Sequence, residues 1–322
     1  MAVKKVFVSW DIPEIGIKMM EDTGLFIEVW KGNRPLAQEE LIAKLRDFDA
    51  CLSLSIDRLD QTFFQRCAHL DVVSQFSVGY DNIDLSAASQ AGIPLGNAPG
   101  AMTEATADIA FGLMIAASRK FFFMHQQIIN GAWKVNPPQA FLGQELRGKT
   151  IGIFGMGKIG TEMARLCHQA YGMEVIYHNR HPIDQRLSFE AKYVSFDDLL
   201  AKSDVISVHA ALSPSTKGIF NVDNFNKMKS TSIFINTSRG GLVIEDDLVS
   251  ALKEKKIWGA GLDVTNPEPM RADHPLLTME NVCVLPHIGS ATVEARAEMS
   301  RLAALNIIEF YKTGKVLHPI SQ

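Results

Sequence analysis

The eleven residues from Thr150 to Gly160 constrain this chain more than any other stretch. An apolar run, Thr150-Ile151-Gly152-Ile153-Phe154, ends in Gly155-Met156-Gly157-Lys158-Ile159-Gly160, the spacing G-x-G-x-x-G. Apolar positions at helical spacing follow at once: Ile159, Met163, Ala164, Cys167 and Ala170. This predicts a strand, a tight turn and a helix, with a separate job for each glycine. Gly155 makes the turn, Gly157 lets the backbone approach a pyrophosphate, and Gly160 lets the helix lie close to the strand. Phosphates placed there meet free N–H groups and the positive end of the helix dipole. The motif alone is a weak signal. Its context is specific, because a second apolar run, Glu174-Val175-Ile176-Tyr177-His178, comes where the next strand of a dinucleotide-binding unit belongs.

A chain of 322 residues is too long for one ordinary core, so two domains are expected. Ahead of residue 98, apolar runs at 5–10, 26–30, 50–54, 71–75 and 93–95 alternate with helical patterns near 13–22, 37–47, 60–67 and 84–91. Such alternation means a parallel sheet covered on both faces. Ala98-Pro99-Gly100 breaks the pattern. A helix from Thr103 to Lys120 follows, with Thr103 as its N-cap; it is apolar on too many faces to lie on the surface. Residues 121–145, with Trp133 and Pro137-Pro138, read as a further helix and an irregular arm. A second parallel sheet takes the runs 150–155, 174–178, 192–194, 205–209, 232–236, 258–263 and 282–285. The last helical pattern, 291–313, comes after that sheet is complete and is expected to return to the first domain. The predicted fold is α/β: a Rossmann nucleotide domain, 99–290, inserted in a flavodoxin-like substrate domain, 1–98 plus 291–322, both doubly wound parallel sheets.

Composition narrows the function classes. A net charge of −4 with scattered basic residues gives no nucleic-acid field. No apolar stretch approaches membrane-spanning length and the N-terminus enters a strand directly, which predicts a cytoplasmic protein with no membrane partner. Cys51, Cys67, Cys167 and Cys283 lie far apart beside apolar runs, as buried thiols do, and no metal site is expected.

Ligands on such sheets bind beyond the carboxyl ends of the strands. In the first domain this points to Ser55 and to Val78-Gly79, where Gly79 allows close backbone approach. In the second it points to three loops. Arg239 follows one strand, Asp263 and Glu268 the next, and His287 the last. A guanidinium can hold both the carboxylate and the carbonyl of a 2-oxo acid. Hydride reaching the carbonyl carbon leaves an alkoxide that a histidinium can protonate near neutral pH. A carboxylate on the far side of the ring orients it and favours its charged form. Arg239, Glu268 and His287 are the candidate catalytic set, with Ser55, Val78, Gly79, Arg239 and His287 for the substrate. Asp263 has two open readings, a contact near the nicotinamide or a cap on neighbouring backbone. The second strand of the motif ends in His178-Asn179-Arg180-His181, with an arginine where an NAD enzyme places an acid for the ribose 2′-OH. That favours a 2′-phosphate, hence NADP(H), with NAD(H) as the alternative.

These residues carry a resemblance. Val78-Gly79-Tyr80-Asp81-Asn82-Ile83-Asp84, Thr103 to Asp108, Gly152 to Gly160, Asn236 to Gly240, Gly261 to Val264, Glu268-Pro269 and Pro286-His287-Ile288-Gly289 together resemble the D-isomer-specific 2-hydroxyacid dehydrogenases, in family order. One departure is Ala211 before Leu212, where the family often has proline. The resemblance implies Arg239 as substrate anchor, His287 as acid/base and Glu268 as its partner. It places Thr106, Gly155, Gly157, Lys158, Ile159, Gly160, Asn179, Arg180, Thr237, Ser238, Asp263 and Gly289 around the cofactor. It also implies a homodimer built through the nucleotide domains. Within the family the likeness leans to glyoxylate/hydroxypyruvate reductases and 2-ketogluconate reductases. The expected activity is NADPH-dependent reduction of small 2-oxo acids (glyoxylate, hydroxypyruvate, then 2-ketogluconate) to D-2-hydroxy acids. The rivals are an NAD-dependent dehydrogenase of another 2-hydroxy acid and a dinucleotide-sensing corepressor.

Overall fold

A computed structural model describes residues 3–135, 137–184 and 186–320; Asn136, within the predicted arm, lies outside them. Contacts divide the chain into two units, Met1–Met102 with Ala291–Gln322, and Thr103–Ser290. The sequence puts the first crossing between residues 98 and 99, inside the Ala98-Pro99-Gly100 breaker, whereas the contacts keep residues 99–102 with the first unit, up to the start of the long helix.

The first unit runs β1 (Lys5–Val8), α1 (Glu14–Glu21), β2 (Phe26–Val29), α2 (Gln38–Leu45), β3 (Ala50–Ser53), α3 (Gln61–Arg66), β4 (Val72–Gln75), α4 (Leu85–Ala91) and β5 (Leu95–Gly96). The five strands are parallel in the order β2-β1-β3-β4-β5. Side chains alternate between two cores, as a doubly covered sheet requires. Phe7, Cys51 and Val73 join α2, α3 and α4 on one face, while Val6, Val8, Leu52 and Val72 face the other. Asp60 and Asp84 accept the backbone N–H of Phe63 and Ala87 and cap the starts of α3 and α4.

The second unit comprises α5 (Thr103–Ser118), α6 (Phe121–Ile129), β6 (Thr150–Phe154), α7 (Lys158–Tyr171), β7 (Glu174–His178), β8 (Ala191–Tyr193), α8 (Phe196–Lys202), β9 (Val205–Val208), α9 (Val222–Phe225), β10 (Ile233–Asn236), α10 (Glu245–Lys253), β11 (Gly259–Leu262) and β12 (Val282–Val284). Its seven strands are all parallel, in the order β12-β11-β10-β9-β6-β7-β8. The sheet order reverses at β6, the strand that carries the glycine motif. Thr103 is the first helical residue of α5 and not its N-cap, a displacement of one position at a terminus where helix assignment is soft. The apolar character of α5 has a local cause. It packs on this sheet, and a Cβ on Gly261 of β11 would lie 2.8 Å from Leu113 Cβ. After β12 the chain returns to the first unit as α11 (Val293–Thr313), capped by Thr292. There Ser300 Oγ accepts the Gly16 N–H at 3.2 Å and donates to Pro13 O at 2.6 Å, locking α11 onto α1. All four cysteines are free and buried, and burial pushes the Cys67 and Cys283 thiols up to about 11. Among the described residues no helix is long and apolar enough to cross a membrane.

Candidate active site

The turn between β6 and α7 gives its three glycines different surroundings. Gly155 has φ +97°, a conformation an L side chain resists, and a Cβ there would sit 2.5 Å from Ala210 N. A Cβ on Gly160 would lie 2.9 Å from Ile153 Cγ2, so the helix could not approach its strand. At Gly157 nothing lies within 4 Å of a Cβ, so open space faces the loop. Gly157 caps α7, and Lys158 and Ile159 are in its first turn, whose N–H groups have no intrahelical partner. This donor set fits the pyrophosphate of a dinucleotide. Asn179, just past β7, turns its side chain to the glycine turn. Its Oδ1 accepts the Met156 N–H at 2.6 Å and ties the two strand ends together. Arg180 beside it is exposed and, among the described residues, makes no ion pair.

At the end of β10 a buried asparagine shapes the arginine loop. Asn236 Oδ1 accepts the Ser238 N–H at 3.0 Å and its amide donates to Arg239 O at 3.0 Å. Ser238 Oγ also donates to Asn236 Oδ1 at 3.2 Å. The sequence alone does not single out Asn236 as a site residue, although an asparagine ahead of Thr237-Ser238-Arg239 is the signature of a side chain that folds its own turn. Thr237 is buried with a hydroxyl that has no hydrogen-bond partner among the described residues.

Beyond β11, both alternatives for Asp263 can be weighed. It is 1% exposed and accepts the N–H groups of Ile288 at 2.8 Å and Gly289 at 2.7 Å, one on each oxygen. Its carboxylate is thus spent on backbone. Burial pushes its pKa up, against the pull of those two N–H groups and of His287. Thr106 of α5 holds the same loop from another side, donating to Gly289 O at 3.1 Å, and a Cβ on Gly289 would come within 3.0 Å of Asp263 Oδ2. These anchors fix the residue before them: His287 has φ +55°, a strained value for a non-glycine that costs of order 1 kcal/mol.

Glu268 lies between two cis prolyl bonds, Asn266–Pro267 and Glu268–Pro269. Its Oε1 accepts the Thr265 N–H at 2.9 Å and its Oε2 meets His287 Nδ1 at 2.9 Å. Burial pushes the carboxyl up, but the His287 hydrogen bond, the Thr265 N–H and the charges of His287 and Arg239 outweigh it, and the net shift is down. Arg239 and His287, which come from two other loops, therefore both act on Glu268. With Nδ1 turned to the carboxylate, the proton of the neutral ring belongs on Nδ1, and Nε2 faces away from Glu268. In the first unit, Ser55 follows β3 and Val78-Gly79 follow β4. Gln75 Nε2 and Ser77 Oγ donate to Gly79 O at 2.9 and 2.5 Å, so that loop is held by its own strand.

The chain is similar to known proteins over almost its whole length. The profile of the D-isomer specific 2-hydroxyacid dehydrogenase NAD binding domain matches residues 111–289. The glyoxylate reductase of Korarchaeum cryptofilum is 40% identical over 97% of this chain and 94% of its own. The crystal structure of a glyoxylate reductase from Paecilomyes thermophila superposes with a TM-score of 0.89 at 34% identity, covering 99% of each chain. An NADPH-dependent glyoxylate/hydroxypyruvate reductase from Sinorhizobium meliloti, solved with NADP and malonate, has a TM-score of 0.87 at 30% identity over 99% of this chain and 97% of that one. The chain belongs to the D-isomer-specific 2-hydroxyacid dehydrogenases, a family of oxidoreductases with a nicotinamide-dinucleotide-binding domain.

Proposed function

We propose that the protein reduces small 2-oxo acids to D-2-hydroxy acids with NADPH, glyoxylate and hydroxypyruvate before 2-ketogluconate. The observation that carries the reading is the 2.9 Å contact of His287 Nδ1 with Glu268, which leaves Nε2 as the ring's proton-transfer atom. When bound, the reduced nicotinamide supplies the hydride for the carbonyl carbon. Arg239 holds the carboxylate and polarises the carbonyl. His287 donates its Nε2 proton to the oxygen as charge builds there. Glu268 fixes the ring and stabilises the imidazolium before transfer. Relatives named glyoxylate reductase support the substrate class.

The preference for NADPH rests on Arg180, exposed and, among the described residues, without an ion pair where an acid would otherwise receive the ribose 2′-OH. The NADP complex of the Sinorhizobium meliloti enzyme supports it. The test is a panel of 2-oxo acids assayed with NADPH and NADH side by side, and the same titrations on Arg180→Ala. NADPH affinity should fall roughly tenfold to a hundredfold, as for a lost charge-assisted contact, and NADH affinity should hold. Equal losses would overturn the assignment. A homodimer through the nucleotide unit is also proposed. Phe121, Phe122, Ile128, Ile129 and Trp133 leave a run of exposed apolar surface along α6 and beyond it.

A further inference from the structure

We infer that Glu245 and His274 are positioning residues for the His287–Glu268 pair, an inference that rests on the reading of that pair given above. Glu245 opens α10, the helix reached a few residues after Arg239. Its side chain is 15% exposed, and its two oxygens go to different places. Oε2 accepts the Asn266 N–H at 3.0 Å, and Oε1 meets His274 Nε2 at 3.1 Å. His274, 20% exposed, uses its other nitrogen as well: Nδ1 accepts the Leu276 N–H at 3.3 Å and caps the short turn Pro275–Thr278. One carboxylate thus joins three segments, the start of α10, Asn266 and His274.

Asn266 is two residues from Glu268 and follows Thr265, whose N–H holds Glu268 Oε1. Thr265 Oγ1 donates to Pro267 O at 3.0 Å, so the segment from Thr265 to Glu268 moves as a piece. The arginine loop is pressed against the same piece, because a Cβ on Gly240 would collide with Thr265 O. Glu245 therefore sets where the Glu268 carboxylate stands relative to both Arg239 and His287. Neutral His274 must carry its proton on Nε2 to donate to Glu245 while Nδ1 accepts from Leu276. His274 takes no part in proton transfer, because both nitrogens are occupied.

The test compares Glu245→Ala, Glu245→Gln, His274→Ala and His274→Gln with an exposed control in the same loop, Arg271→Ala. The glutamine variants retain part of the bonding: Glu245→Gln keeps one acceptor, and His274→Gln keeps a donor for Glu245. The expected result is a kcat for 2-oxo acid reduction lowered tenfold to a hundredfold in the alanine variants, as a displaced catalytic geometry produces, with KM for the cofactor within twofold. The glutamine variants should recover part of the loss, and Arg271→Ala should match wild type. A second readout needs no turnover. Nitrogen NMR of histidine-labelled, ligand-free protein at alkaline pH reports the tautomer of His287, which Glu268 holds as Nδ1–H. In the alanine variants that population should fall toward the Nε2–H form preferred by free imidazole. Alanine variants with kcat within twofold of wild type, or with an unchanged His287 tautomer, overturn the inference. A wild-type protein that reduces no 2-oxo acid overturns the functional reading instead, and the NMR arm still decides the positional one.

Discussion

Two imidazole–carboxylate pairs stand in the same unit and are built for different ends. His287–Glu268 spans 2.9 Å with side chains 46% and 39% exposed; His274–Glu245 spans 3.1 Å at 20% and 15%. The deeper pair uses every ring nitrogen on structure. In the other, Nδ1 is committed to the carboxylate and Nε2 makes no hydrogen bond among the described residues. Both have an acid, a ring and a short contact, so those features do not distinguish a proton donor from a brace. The distinction lies in what the ring has left over after its tautomer is fixed.

The comparison breaks first at His287. His287→Ala should lower kcat/KM for 2-oxo acid reduction by roughly a hundredfold to ten-thousandfold, the range for removing a general acid. Cofactor affinity measured by fluorescence should stay near wild type, since the glycine loop is untouched. A loss below tenfold would make His287 a brace like His274.

Glu268→Gln gives a smaller effect and a sharper one. It keeps the size and one hydrogen bond but removes the charge. We expect kcat lower by on the order of tenfold to a hundredfold. The His287 hydrogen bond is among the contacts that hold the Glu268 carboxyl down, and glutamine removes that charge from beside the ring. Stability carries its own sign. A carboxyl lowered on folding stabilises above its ordinary range, and that contribution is lost as pH falls through the lowered value. The Tm gap between wild type and variant should accordingly close in acid. A kcat within twofold of wild type, with hydride transfer shown to be rate-limiting by deuterated cofactor, would separate Glu268 from His287.

The contrast also explains what can be read from sequence. The glycine turn is local: strand, turn and helix are contiguous, so Gly155, Gly157 and Gly160 announce their separate tasks in one line of residues. Arg239, Glu268 and His287 are legible for another reason, since each follows an apolar strand and parallel strands bring their carboxyl ends to one edge. Glu245 and His274 carry no such mark. Glu245 reads as an ordinary acid in a first helical turn, and only the folded loop shows that its second oxygen reaches Asn266. Asp263 and Asn179 are legible as residues of interest but not in their use. Both spend their side chains on backbone N–H groups that the loops themselves create.

The smallest expected effect is at Asp263, and it asks whether the strained backbone of His287 needs a brace of its own. Asp263→Asn keeps one acceptor and turns an NH2 toward the second N–H, so either Ile288 or Gly289 loses its partner. The left-handed φ of His287 is then held by Thr106 and the remaining bond, and kcat should fall by up to about tenfold through misplacement of the ring. Stability should move independently of rate. The Asp263 carboxyl is raised by burial, so the folded state favours its protonated form. That contribution is complete below the ordinary carboxyl range and is lost as pH rises through the raised value. Asparagine does not titrate. From the ordinary Asp value of about 3.9 upward through the raised value, the Tm of wild type should therefore decline relative to the variant. Above that raised value the relief of a buried charge offsets the lost hydrogen bond. A variant that loses rate while its melting point stays near wild type would show that Asp263 serves the position of His287 at a cost to the fold. Unchanged kcat would show that the loop needs only Thr106.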